Sequence, residues 1–207
     1  MVDEVCNTLS NYAEAGKNSG GHIHIGTQVL GSNKEAWLNF IKIWSIYENV
    51  IYRFGYGNFI NGRRTLKQYA EPIAKEYHKK YFEFKSDNLN IDDIIRKLKI
   101  SRRRAINLNN VVLYSLDNIY NKNTIEFRCS NSSLDSPIWQ NNFNLFINLI
   151  NYSKRNDFNH DIIDYRYNIN NNLDIYNDLE YYDEVYLEQA LELSDLIFNN
   201  NLDKINF

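Results

Sequence analysis

Gly20-Gly21-His22-Ile23-His24-Ile25-Gly26 is the stretch on which the reading of the whole chain turns. Polar and apolar residues alternate in it, which is the period of a β-strand, where successive side chains point to opposite faces. His22 and His24 then share one face, and Ile23 and Ile25 share the other. The isoleucines can enter a core while two imidazoles stand side by side over a site. Gly20 and Gly21 permit a close backbone approach, and Gly26 ends the run. Two of the four histidines in the chain fall here.

A second stretch, Thr124-Ile125-Glu126-Phe127-Arg128-Cys129, repeats the design. Glu126 and Arg128 share a face, opposed by Ile125 and Phe127. Charged side chains on a strand are costly to bury unless something pairs with them. The simplest arrangement brings the two polar faces over one cleft, so that His22, His24, Glu126 and Arg128 surround an anion and a metal ion.

Working outward, the 207 residues are 43% hydrophobic, enough for a globular domain with its own core. The net charge of −3 gives no general argument for nucleic acid or membrane binding. No apolar run approaches the ~20 residues of a membrane span. The acidic start Met1-Val2-Asp3-Glu4-Val5 lacks the basic opening and apolar stretch of a signal peptide. Cys6 and Cys129 imply no disulfide framework, and the expected setting is the cytoplasm.

Helical spacing of Val2, Val5, Leu9 and Tyr12 predicts a helix over 2–15. Asn33 offers an N-cap to a long apolar helix over 33–53, placed across the back of the sheet. The aromatic segment 55–64, which ends in Arg63 and Arg64, reads as a surface connection in preference to a lid. Residues 73–85 read as helical then extended, and 91–98 as a short amphipathic helix. A strand is expected over 111–115, a turn over 121–123 and a strand over 124–129. Asp135-Ser136-Pro137 starts a helix. The Asn- and Tyr-rich segment 156–182 shows weak periodicity. Asp183 caps a last helix over 184–198, after which the chain is expected to fray. These elements divide into a domain over 1–155 and an extension over 156–207.

Arg102-Arg103-Arg104 suits phosphate binding or a weak RNA contact, but a solvated basic edge is the reading that a bare triplet favours.

Taken in order, Gly20–Gly26, Tyr69-Ala70-Glu71-Pro72, Arg104-Ala105-Ile106-Asn107-Leu108, Thr124–Arg128 and Leu134-Asp135-x-x-Ile138-Trp139 resemble the amidoligase family over about residues 1–150. The resemblance implies a carboxylate–amine ligase fold similar to glutamine synthetase and glutamate–cysteine ligase. It also implies ATP and Mg²⁺ as cofactors: ATP phosphorylates a carboxylate, and an amine displaces the phosphate to give an amide. On that resemblance His22 and Glu126 would hold metal, and His24 would lie against the ATP phosphates. Arg128 would stand beside the transferring phosphoryl, and Arg104 would face phosphate or substrate carboxylate. Family members open with a Glu-x-Glu strand. None precedes His22 here, and the acidic pair Asp3 and Glu4 is adjacent. The expectation is therefore an N-terminally shortened relative.

The expected fold is α+β, a partial antiparallel sheet with helices packed on one face. Its exposed sheet edge would suit a second copy or a protein partner. Two functions follow: a ligase, or a catalytically inactive phage or mobile-element protein that binds and inhibits a host partner through the same scaffold.

Overall fold

Three short strands carry His24 and Glu126, with His22 and Arg128 immediately beyond their ends: β1 (Ile23–Gly26), β2 (Ile106–Asn107) and β3 (Thr124–Phe127). The structure is a computed structural model, and it describes residues 1–16, 19–56, 69–86, 89–111, 123–170 and 184–207. The sheet order is β1-β3-β2, antiparallel throughout. In register, Ile23 and Ile106 flank Phe127, while His24 and Asn107 flank Glu126. One row of the sheet is therefore apolar and the next polar, as the alternation requires.

The helices among the described residues are α1 (Val2–Ser10), α2 (Lys34–Ile46), α3 (Glu48–Tyr56), α4 (Ala74–Lys79), α5 (Tyr81–Ser86) and α6 (Ile91–Lys97). They continue with α7 (Ser136–Ser153), α8 (His160–Asn170), α9 (Glu184–Ile197) and α10 (Asn201–Asn206). The chain is thus α+β. The core lies where α2 and α7 cover the apolar face of the sheet. Phe127 stacks on Phe146 at 4.3 Å and meets Trp44 at 5.5 Å and Phe40 at 6.1 Å. All four rings are fully buried, and such aromatic packing adds to the burial of their area.

Several expectations are corrected in detail. The helix expected over 33–53 is two helices, with a kink at Tyr47 (φ −106°, ψ 16°). Tyr47 N–H donates to Ile43 O and Ile51 N–H donates to Tyr47 O, so helical bonds flank the break on both sides. Asn33 caps α2 as expected, its Oδ1 accepting from Ala36 N at 3.2 Å. The first helix stops at Ser10. Residues 73–85 are two helices with no extended part, because Tyr77, Tyr81 and Phe84 pack together at helical spacing. The segment after 156 contains α8, whose Ile163 and Tyr167 are buried. The C-terminus does not fray: Asn200 caps α10, and Phe207 stacks on Phe54 at 4.9 Å. Residues 101–110, read as an arginine-rich segment, supply β2. The expected strand from 112 onward, residues 121–122, the aromatic segment from 57 on with Arg63 and Arg64, and the cap at Asp183 lie outside the described residues. No helix among those described is long and apolar enough to cross a membrane.

Candidate functional site

Gly21 fixes how β1 enters the sheet. Its N–H donates to Ser130 O at 2.9 Å. A Cβ at this position would lie 2.4 Å from the Trp139 ring, so only glycine fits without a shift. This anchors His22 and His24 opposite the far end of β3.

The polar face is organised around Glu126, which is 7% exposed. Asn107 Nδ2 donates to its Oε2 at 2.7 Å, and Arg128 Nη1 donates to its Oε1 at 2.6 Å. His22 Nδ1 lies 3.1 Å from the same Oε1, and His24 Nε2 lies 4.0 Å from it. His24 Nδ1 is 3.2 Å from Thr124 Oγ1. The imidazoles remain more than a third exposed, whereas Glu126 and Arg128 are largely covered. Burial pushes the Glu126 carboxyl upward. The Asn107 bond and then the charges of Arg128, His22 and His24 outweigh that push, and its pKa is lowered below the ordinary carboxylate value. The four residues drawn from the two alternating stretches do share one face of the sheet. Asn107 is the member that was missed. It lies between Ile106 and Leu108, in a strand of two residues that is too short for alternation to mark it.

Arg104 stands elsewhere. Its Nη1 donates to Pro72 O at 2.9 Å and lies 3.4 Å from Glu71 Oε2, and its Nε donates to Lys99 O at 3.4 Å. Among the described residues it makes no bond to Glu126 or Arg128. Arg102 and Arg103 are exposed in the turn before β2, so the triplet does not present one basic surface.

The resemblance implies Mg²⁺ at this face. Mg²⁺ prefers oxygen ligands in octahedral geometry. On this face Glu126 has both oxygens engaged, and the other candidate donors are imidazoles. Among the described residues no group of three or more His, Cys, Asp or Glu side chains is set to hold a metal ion. The described donor set does not by itself fit a Mg²⁺ cage. It does offer cationic and imidazole groups beside a buried carboxylate, a setting that can orient an anion and accept a proton.

Fold and site together define a small α+β protein whose sheet carries a His–His–Glu–Arg face. Residues 1–150 match the model of the family described as "Putative amidoligase enzyme", and the chain belongs to that family. No curated protein and no solved structure was found to match the chain.

Proposed function

We propose that the chain is an ATP-dependent carboxylate–amine ligase whose reactants bind over the polar face of the sheet. The observation that supports this is the convergence of His22, His24, Asn107 and Arg128 on Glu126. A carboxylate oxygen of the substrate attacks the γ-phosphoryl of ATP, releasing ADP and forming an acyl phosphate. The amine nitrogen then adds to the acyl carbon, phosphate leaves with its bonding electron pair, and the amine proton passes to a base. Arg128 meets the charge that develops on the phosphoryl oxygens. His22, held against Glu126, is the candidate proton acceptor, and His24 faces the phosphates. Mg²⁺ would arrive with the nucleotide. We also assign the three strands to a glutamine synthetase-like sheet, on the resemblance alone.

Isothermal titration with ATP, with and without Mg²⁺, tests the reading. Binding in the millimolar range or tighter that Arg128→Met weakens is expected. Absence of heat from wild type at millimolar nucleotide overturns it.

One observation favours a second reading, a catalytically inactive binding protein on the same scaffold: both oxygens of Glu126 are already engaged. Among the described residues β1 and β2 are the outer strands of the sheet, and a partner chain pairing with an outer strand would fit this reading. It predicts no nucleotide binding together with a defined dimer or a stoichiometric protein complex by light scattering.

A further inference from the structure

Glu48 is fully buried at the start of α3 and plays no part in the polar face itself. Its carboxylate nevertheless collects three donors. Trp44 Nε1 donates to Oε1 at 2.8 Å. Ile73 N–H lies 3.0 Å from Oε1 and 2.8 Å from Oε2, and Ala74 N–H donates to Oε2 at 2.6 Å. Two of these donors end the segment 69–74, and that segment is tied along its length. Tyr52 Oη donates to Ala70 O. Glu71 N–H donates to Arg103 O at 2.7 Å, and Ala105 N–H donates to Glu71 O at 2.8 Å. Arg104 Nη1 donates to Pro72 O.

At the other end of the segment, Tyr69 O accepts from Arg128 Nε at 2.9 Å. That bond sets the plane of the guanidinium whose Nη1 meets Glu126. A second route runs through Trp44, whose ring packs on Phe127, the residue between Glu126 and Arg128. Both routes from Glu48 end at the same two side chains.

The geometry points to Glu48 as a positioning residue for the candidate site: it clamps the 69–74 segment so that Tyr69 O aims Arg128 at Glu126. This deepens the ligase reading and rests on it for its meaning, though its geometry can be tested separately. Arg104 belongs to the same device, since it holds Pro72 O within the same segment. A carboxylate suits the task because both its oxygens accept. An amide in its place would turn an NH₂ toward either Trp44 N–H or Ala74 N–H, leaving donor facing donor.

The test uses the full chain labelled at arginine, with Glu48→Gln and Glu48→Ala beside wild type. Hydrogen exchange of the Arg128 Nε–H is read by NMR, at a temperature where circular dichroism and core amides of α7 match wild type. Exchange about tenfold faster or more is expected in both variants, because the Tyr69 bond opens more often. Tyr52→Phe, which loosens the same segment at Ala70, should shift exchange the same way by less. Where Glu48→Ala does not fold, Glu48→Gln decides, being of equal size. A lower melting temperature with unchanged Arg128 exchange overturns the proposal and leaves Glu48 a packing residue. If wild type binds no ATP, the ligase reading falls, while the exchange comparison still decides what Glu48 does.

Discussion

Glu126 and Glu48 are both buried carboxyls, and their surroundings drive them in opposite directions. Around Glu126, burial is outweighed by Asn107, Arg128 and the two histidines, and the pKa falls. Around Glu48, burial dominates. The bonds from Ile73, Ala74 and Trp44 and the charge of Arg104 offset it only in part, and the pKa is pushed up to about 7. The linkage signs differ accordingly. The depressed pKa of Glu126 gives stability that is present above 4.5, the ordinary value, and lost as pH falls through the folded-state pKa. Glu126→Gln should therefore flatten the acid limb of a melting-temperature profile. The raised pKa of Glu48 gives stability that is complete below 4.5 and lost as pH rises through about 7. By linkage this amounts to roughly 3 kcal/mol across that window. Glu48→Gln should remove that slope, and urea melts at pH 5, 6, 7 and 8 would show it. Arg128→Met leaves Glu126 short of its closest cation and should cost about 2–3 kcal/mol at neutral pH. His22, His24, Glu126 and Arg128 were legible as a group because strict alternation places each pair on one face. Glu48 was not, because it reads as one more position on an apolar helix. The inward turn of Arg104 was not legible either, because Pro72 and Glu71, which hold it, are over thirty residues away in the chain.

At the scale of elements, the placement of β1 depends on one close contact. A Cβ on Gly21 would meet the Trp139 ring at 2.4 Å and Asn131 O at 3.1 Å. Trp139 cannot simply swing away, since its Nε1 donates to Ser133 O at 2.8 Å. Gly21→Ala should cost about 1–3 kcal/mol through this overpacking. Combined with Trp139→Leu, it should recover part of the loss, and a double-mutant cycle by urea denaturation should give a coupling on the order of 1 kcal/mol. Recovery stays partial because the Asn131 carbonyl belongs to the backbone. The start of α2 and the start of α7 were readable from Asn33 and from Asp135-Ser136-Pro137, whose chemistry is local. The kink at Tyr47 was not. Neither proline nor glycine marks it, and the bond its side chain makes is to Glu192, far along the chain. β2 was hidden for a related reason. Two residues are too few for a period to show, and they act as a strand only because β3 lies beside them.

Over the whole molecule, the question is whether residues after 155 stand apart from those before. A buried polar network crosses that line. Arg166 on α8, with a side chain 4% exposed, reaches Glu192 at 2.7 Å and Glu188 at 2.6 Å on α9. Tyr47, at the kink between α2 and α3, donates its hydroxyl to the same Glu192. Asn49 Nδ2 donates to Gln189 Oε1 at 2.7 Å. The bond to Glu192, followed by that to Glu188, holds the Arg166 guanidinium above its ordinary pKa, so the charge persists at any working pH. Glu188 is mostly exposed, so the loss of the cation falls chiefly on Glu192, and Arg166→Met should cost about 2–3 kcal/mol. The form of the loss is more telling than its size. Trp37 and Trp44 are buried in α2, under the sheet, and their fluorescence reports the unfolding of that core. If the network couples both parts, the variant melts in one transition at a lower temperature, with tryptophan fluorescence and far-UV circular dichroism moving together. If the C-terminal helices form a separate unit, dichroism falls first while the tryptophan signal keeps its wild-type midpoint. The second outcome would restore the boundary at 155. The first would mean that the kink at Tyr47, and through α3 the buried Glu48 next to it, is held from the far end of the chain.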